Sequence, residues 1–326
     1  MTAELPPALR SALDQAMAGR ARRDLSERAA RASQAYRAGE GSAGVIRDAD
    51  DALSYALTRL PATYAACEAA FAAARASAPG FSPKSLLDAG TGPGAASWAA
   101  AETWPQLARI VWLDSSAPFL TLAGQLARDA AAALREAQAQ RADLAAGGPW
   151  PSADLVTASY ALAEIAPERQ AGVVADLWQA CDGVLVLVEP GTPAGYARLL
   201  AARTQLIAAG AAILAPCPHQ ATCPIAAPDW CHFSVRLPRS RDHRIVKGAE
   251  AAFEDEKFAY LIAARPGVAA VPALARVLAR PRIGKAGVEL KLCTAEGLQV
   301  RRIARREKAA LAAGRRVAWG DLWDHG

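Results

Sequence analysis

Residues 85–94 read Ser85-Leu86-Leu87-Asp88-Ala89-Gly90-Thr91-Gly92-Pro93-Gly94. A short apolar run ends on an aspartate, three glycines follow at alternate positions, and the next residues are alanine-rich without Gly or Pro. That order predicts a strand, a tight turn and a helix. Working outward, further strands are expected at 109–113, 139–143, 154–159 and 183–189, with helices near 94–103, 117–138 and 166–180. Short apolar runs alternating with helical segments predict a parallel sheet covered on both faces, a doubly wound Rossmann-like α/β domain.

The flanks differ from this middle. Residues 1 to about 78 are rich in Ala, Arg, Leu and Glu and poor in β-branched residues, which predicts helices, one starting at Pro61 and stopped by Pro79-Gly80. After Glu189 a helix is expected over 193–211, followed by a Pro-, Cys-, His- and Trp-rich stretch from Pro216 to Pro238 with no strand or helix period. A loop this long inside a compact chain needs something to hold it. From Val268 onward short β-like pieces alternate with Gly-containing turns. The expected organisation is therefore a helical region over 1–80, a Rossmann-like domain over 81–215, a cysteine-rich segment with a helix over 216–267 and a small β module over 268–326.

The spacing of Asp88, Gly90, Gly92 and Gly94 matches the D/E-x-G-x-G-x-G loop of class I methyltransferases, not the G-x-G-x-x-G fingerprint that leaves room for a pyrophosphate. Glycines let the backbone pass close to a cofactor without a phosphate, S-adenosylmethionine, whose ammonium Asp88 would attract directly or through water. Asp114, twenty residues beyond Gly94 at the end of the second strand, is placed to accept ribose hydroxyls, and Asp143, after the third, to approach the adenine amine. After the fourth strand stands Ser159-Tyr160-Ala161-Leu162, where enzymes that methylate exocyclic base amines carry D/N-P-P-F/Y. Tyr160 and Glu164 are the nearest polar candidates for an acceptor site.

Four of the six cysteines form a pattern, Cys217-x5-Cys223-x7-Cys231 and then Cys293. Thiolates bind soft metals, and Pro216, Pro218 and Pro224 stiffen the backbone beside the first two. Zinc sites usually use short C-x₂₋₄-C knuckles, absent here, whereas a [4Fe–4S] cube takes one thiolate at each corner. A [4Fe–4S] cluster, a zinc ion aided by His219 or His232, and no metal are all compatible with the residues. The C-x₃-C-x₂-C spacing of radical S-adenosylmethionine enzymes is missing. Cys67 and Cys181, flanked by alanines, are expected to be buried apolar thiols.

The net charge of +5 conceals a division. Residues 1–231 carry 18 basic and 22 acidic side chains, net −4, and residues 232–326 carry 19 and 10, net +9. A basic end on a nearly neutral body suggests a polyanion partner, most commonly nucleic acid. Arg236, Arg239, Arg241, Arg244 and Lys247 follow the third cysteine of the pattern, and Arg301, Arg302, Arg305, Arg306 and Lys308 follow the fourth. Held together by a metal, these runs would make one phosphate-binding face, with Trp230, Phe233 and Trp319 offering planes for unpaired bases. No apolar run approaches the roughly 18 residues of a membrane span, and the first residues lack a secretion-signal core, so no membrane partner and a cytoplasmic location are expected.

The segments LLDAGTGPGAASWAA (86–100), APCPHQATCPIAAPDWCHFSVRLPRSRDHRIVKGAEAAFEDEKFAYLIAAR (215–265) and LCTAEGLQVRRIARREKAALAAGRRVAWGDLW (292–323) together resemble the methyltransferase-like proteins of the mitochondrial small ribosomal subunit and their bacterial relatives. The resemblance spans about residues 50–326. It implies a class I methyltransferase domain with an N-terminal helical region and a basic C-terminal β module, joined by an iron–sulfur site at Cys217, Cys223, Cys231 and Cys293. It further implies S-adenosylmethionine binding and association with the small subunit and its ribosomal RNA; off the ribosome a monomer is expected. The role implied is either methyltransferase or non-catalytic assembly factor. A zinc-containing methyltransferase with another substrate is the remaining alternative.

Overall fold

The computed structural model describes residues 3–37, 41–248 and 250–325. The N-terminal region is helical: α1 (Pro7–Met17), α2 (Arg22–Arg37), α3 (Ser42–Val45) and the long α4 (Ala49–Ser77). Asp48 caps α4 by accepting from the Asp51 N–H at 2.8 Å. Pro61 lies inside α4, not at its start. An interior proline costs a helix about 3 kcal/mol. Here the helix is apolar around most of its circumference, with Leu60, Ala62, Ala65, Ala66 and Phe71 all buried, and that burial outweighs the break.

The Rossmann-like body follows as β1 (Ser85–Ala89), α5 (Ala95–Thr103), β2 (Arg109–Asp114), α6 (Ala117–Leu126), α7 (Ala132–Arg135), β3 (Gln138–Arg141), β4 (Ala153–Ser159), α8 (Pro167–Gln179), β5 (Cys181–Pro190), α9 (Pro193–Ala208), β6 (Ala212–Ala215), β7 (Phe233–Pro238), α10 (Arg241–Lys247) and β8 (Phe253–Ala264). The single helix expected over 117–138 is two, α6 and α7, with a turn between them. A helix of that length would carry the chain roughly 33 Å, past the point where it must re-enter the sheet as β3.

The strand order is β3-β2-β1-β4-β5-β8-β6, with β7 also on β8. β1 to β5 are parallel and β8 runs antiparallel to β5. This is the doubly wound sheet with one reversed strand of a class I methyltransferase domain. Alternate side chains serve opposite faces. Leu86, Ile110, Trp112 and Val186 pack beneath α4, α5 and α6, while Leu87, Val111, Leu113 and Leu185 pack against α8 and α9.

Residues 233–264, expected within a separate cysteine-rich segment, instead supply β7 and β8 of the main sheet. β8 is central, so its second half is buried on both faces and its sequence shows no alternation. β6 pairs with β8 at 262–264 and β7 pairs with it at 253–258, both on the same edge. Between them residues 216–232 leave the sheet, opposite Ala259, Tyr260 and Leu261 of β8. That excursion carries three of the four patterned cysteines.

The basic module is a second sheet of β9 (Ala275–Val277), β10 (Arg282–Ile283), β11 (Gly287–Thr294), β12 (Gly297–Ala304) and β13 (Leu322–Trp323), backed by α11 (Lys308–Gly314). Val277, Val288, Leu290, Leu292, Ile303 and Trp323 form its own core. Among the described residues no helix is long and apolar enough to cross a membrane.

Candidate cofactor cradle and four-cysteine site

The loop after β1 turns through three left-handed glycines, Gly90 (φ +72°), Gly92 (φ +53°) and Gly94 (φ +90°), into α5. Asp88 is fully buried beneath it. Its Oδ2 accepts from Ser97 Oγ at 2.6 Å, Thr91 Oγ1 at 2.9 Å and the Ser97 N–H at 3.1 Å, and Trp112 Nε1 donates to Ser97 Oγ at 2.9 Å. Its Oδ1 is buried with no partner. Burial pushes the Asp88 carboxyl up to about 6 against the pull of those hydrogen bonds. A buried carboxylate with one committed and one vacant oxygen fits a cationic ligand group at the loop.

Asp114, expected to hold a ribose, has both oxygens on the backbone: Oδ2 accepts from Gly92 N–H and Oδ1 from Ser116 N–H, each at 2.8 Å. It therefore ties the second strand to the glycine turn, and burial raises its pKa. Each oxygen keeps a further lone pair for a ligand hydroxyl. Asp143 is exposed and accepts from the Ala145 N–H at 2.9 Å, shaping the turn after β3. The neighbouring Leu144 lies against Gly90.

Beyond the cradle, at the ends of β4 and β5, lies a cavity of about 700 Å³ lined by Tyr55, Thr58, Arg59, Tyr160, Glu164 and Lys247. Tyr160 is the one non-glycine residue with positive φ (+60°) among the described residues, held there by its N–H on Val188 O at 2.7 Å. Strained backbone of this kind persists where the surroundings over-determine it, often at functional sites. Its hydroxyl donates to Glu256 Oε1 at 2.8 Å, and burial followed by the Glu256 charge holds the phenol well above its ordinary value. Tyr160 is thus a committed donor, unsuited to removing a proton. Glu164 is exposed at the rim. The pairing of Tyr160 and Arg59 with Glu256 of β8 was not legible, because 96 residues separate Tyr160 from Glu256.

Cys217, Cys223, Cys231 and Cys293 line one cavity between α9, β8 and β11. Cys231 is raised well above the ordinary thiol value, first by burial and then by Cys217, Cys223 and Cys293; Cys293 is raised to about 12 by burial, then Cys217 and Cys223. The Cys231 thiol thus registers all three of the others. Among the described residues, however, no three His, Cys, Asp or Glu side chains are grouped so as to hold a single metal ion. The four cysteines share the cavity's lining without being gathered there as a metal site. Tyr196 Oη lies 3.2 Å from Cys223 Sγ, and His219 Nε2 lies 3.6 Å from Cys293 Sγ. His232, the other expected nitrogen, instead stacks on Trp230 and meets Trp319 edge-on, with ring centroids 4.9 Å from each. Two buried arginines border the cavity. Arg203 donates to His219 O at 2.9 Å and Ala221 O at 2.8 Å, and Arg276 to Pro216 O at 2.9 Å and Gly320 O at 3.0 Å. Cys67 and Cys181 are buried core thiols, as expected.

The expected basic face is partly spent on internal pairs. Arg236 makes two bonds to Asp255, at 2.7 and 2.8 Å, and Arg239 and Lys247 both pair with Glu254. Arg302 pairs with Glu289 and Arg301 with Glu307. Arg241, Arg244, Arg305 and Arg306 are exposed. The first run sits on β7 and α10 of the body, and the second on β12 and the turn after it in the second sheet. Phe233 is buried against Phe258 and Tyr260 and offers no free plane, while Trp230 Nε1 is committed to Gly191 O at 3.0 Å.

Comparison with known proteins bears on these arrangements. The chain is 32% identical over 298 residues to the human protein called "Ribosome assembly protein METTL17, mitochondrial", covering 83% of this chain and 62% of that one. The chain thus spans less than two thirds of that relative's length. Solved structures similar to it include magnesium protoporphyrin IX methyltransferase from Synechocystis PCC 6803 with bound SAM (19% identity, 62% of this chain and 78% of that one, TM-score 0.40). Another is human N-acetylserotonin methyltransferase in complex with SAM (13% identity, 72% and 65%, TM-score 0.42). Residues 49–324 match the family described as mitochondrial small ribosomal subunit Rsm22, and the chain belongs to that family.

Proposed function

We propose that this chain is an S-adenosylmethionine-binding, methyltransferase-like assembly factor of the small ribosomal subunit, in which four cysteines hold a [4Fe–4S] cluster that fastens the basic β module to the cofactor domain. The observation that carries the reading is the convergence of four thiols, three from the excursion between β6 and β7 and one from β11, on a single cavity. Four separately delivered thiols around a space suit the corners of a cube, whereas one zinc ion draws its ligands to about 2.3 Å from one point. Such a cluster supplies a cross-link of four thiolates and a one-electron couple.

S-adenosylmethionine, when bound, supplies an activated methyl group. The chain's own contribution is the cradle: the vacant Asp88 Oδ1 receives the ammonium, and Asp114 holds the turn and meets the ribose. Assembly is favoured over methyl transfer by the state of Tyr160, whose proton is committed to Glu256. The human relative's name supports the ribosomal partner. Phosphate contacts are assigned to the exposed Arg241, Arg244, Arg305 and Arg306.

The test combines three measurements on anaerobically prepared full chain. Iron and acid-labile sulfide in equal, near four-per-chain amounts are expected, with Cys293→Ser losing both; stoichiometric zinc would overturn the cluster. Equilibrium dialysis should show S-adenosylmethionine binding that Asp88→Asn abolishes. Immature small-subunit particles should bind the protein without acquiring label from tritiated methyl donor. Stoichiometric labelling would make it an enzyme instead, and failure to bind particles would remove the ribosomal role.

A further inference from the structure

We infer that Arg203 and Arg276 are the counter-charges of the group held by Cys217, Cys223, Cys231 and Cys293, and that they set its reduction potential by stabilising its more reduced, more negative state. This rests on the cluster reading above and goes beyond it to two residues outside the ligand set.

The two arginines belong to different bodies: Arg203 lines the cavity, and Arg276 stands beside it, bonded to the carbonyl of the lining residue Pro216. Arg203 comes from α9 of the Rossmann-like body and lines the cavity. Arg276 comes from β9 of the second sheet, directly opposite Cys293 of β11 in the strand register, so the two side chains stand on the same face. They are 5% and 3% exposed. Among the described residues neither forms an ion pair, and no aspartate or glutamate lines the cavity. Their bonds to Pro216, His219, Ala221 and Gly320 carbonyls fix their positions but neutralise nothing. Arg203 Nε and Arg276 Nη2 are each buried without an acceptor.

Burying one uncompensated charge is strongly unfavourable, and burying two is worse. Neutral thiols do not relieve it. A cluster ligated by four thiolates is dianionic in formal charge, which balances two guanidiniums, and gains one further negative charge on one-electron reduction. The same two cations therefore favour the reduced form. The arginines also couple metal content to architecture, since one belongs to each of the bodies that the cysteines join.

The experiment titrates the anaerobic full chain between dithionite and ferricyanide, with iron and sulfide measured on each sample. Arg203→Met and Arg276→Met should keep the cluster and disfavour its reduced form at least tenfold at fixed potential, about 59 mV for a one-electron couple. Arg203→Lys and Arg276→Lys should stay near the parent. Equal shifts in Met and Lys variants, or none, would overturn the inference while leaving the cluster standing. If the Met variants lose iron, retention in the Lys variants supports the charge role, and loss in both assigns the arginines to the loop carbonyls alone and overturns it. A parent protein without iron and sulfide would overturn the cluster reading itself.

Discussion

Gly90→Ala separates two costs that the cradle imposes on one position. Gly90 has φ +72°, where an L-residue costs about 1–2 kcal/mol. An added Cβ would also stand 2.7 Å from the Ala161 Cβ, far inside the ~3.5–4.0 Å of ordinary carbon contact. Forcing the loop between β4 and α8 to yield adds about 1–3 kcal/mol, for a loss of about 2–5 kcal/mol in all. Gly92 supplies the control, since at φ +53° it has the same backbone penalty but nothing within 4 Å of its Cβ. Gly92→Ala should therefore lose only about 1–2 kcal/mol. Urea unfolding followed by far-ultraviolet circular dichroism measures both, and a double-mutant cycle with Ala161→Gly isolates the contact. The double variant, Gly90→Ala with Ala161→Gly, should recover the contact cost and none of the backbone cost. Equal losses at 90 and 92, or no recovery in the double variant, would refute the close approach of the two loops.

Three further outcomes follow from the geometry. Because folding raises the Asp88 pKa from the ordinary 3.8 to about 6, the folded chain binds the extra proton; the Asp88 contribution to stability should fall as pH rises from about 4 to 6, while buried Glu189, raised to about 7, extends the fall beyond it. Asp88→Asn should flatten that slope in cofactor-free protein while abolishing S-adenosylmethionine binding, and an unchanged slope in urea midpoints across that range would contradict the assignment. Gly287→Ala would put a Cβ 1.9 Å from Ile303 O on the paired strand, so limited proteolysis should cut the second sheet first while the body resists. Glu254, half-buried and bound by Lys247 and Arg239, has its pKa pushed up by burial but lowered overall by Lys247 and Arg239. Its change to Ala should cost about 3 kcal/mol, as for a buried pair broken on one side, against less than about 1 kcal/mol for Asp255→Ala among exposed partners; equal losses in thermal melts would undo the contrast.

Local chemistry was legible where it was punctuated. The glycine turn, the strands β1, β2, β4 and β5 and the core thiols Cys67 and Cys181 follow from residues close in sequence. Pro61 misleads because tertiary burial along α4 overrides an intrinsic penalty. The segment 117–138 misleads because its alanines suit a helix and a buried turn equally. β8 is hidden by its central place, which removes alternation, and by an acidic first half that pairs with Arg236 of β7 and Arg239 just beyond it. The cysteine pattern marked its own cavity, but Arg203 and Arg276 carry no sequence signal, since surface arginines are common and only the fold distinguishes a buried one. Likewise Arg236 and Lys247 look free until the acids of β8 are laid beside them.

The order in which the chain is made gives the excursion between β6 and β7 a temporal meaning. Cys217, Cys223 and Cys231 are synthesised before β8, yet the two strands that anchor their segment have no partner until residue 264 exists. Cys293 comes 62 residues after Cys231, a wait of about 3–12 s at 5–20 residues per second. Its strand β11 pairs with β9 and β10, made before it, and with β12, made after it, while β9, which carries Arg276, gains β13 as a second partner. The fourth thiol is thus the late one: a chain interrupted before the second sheet carries three of the four cysteines and still lacks Cys293.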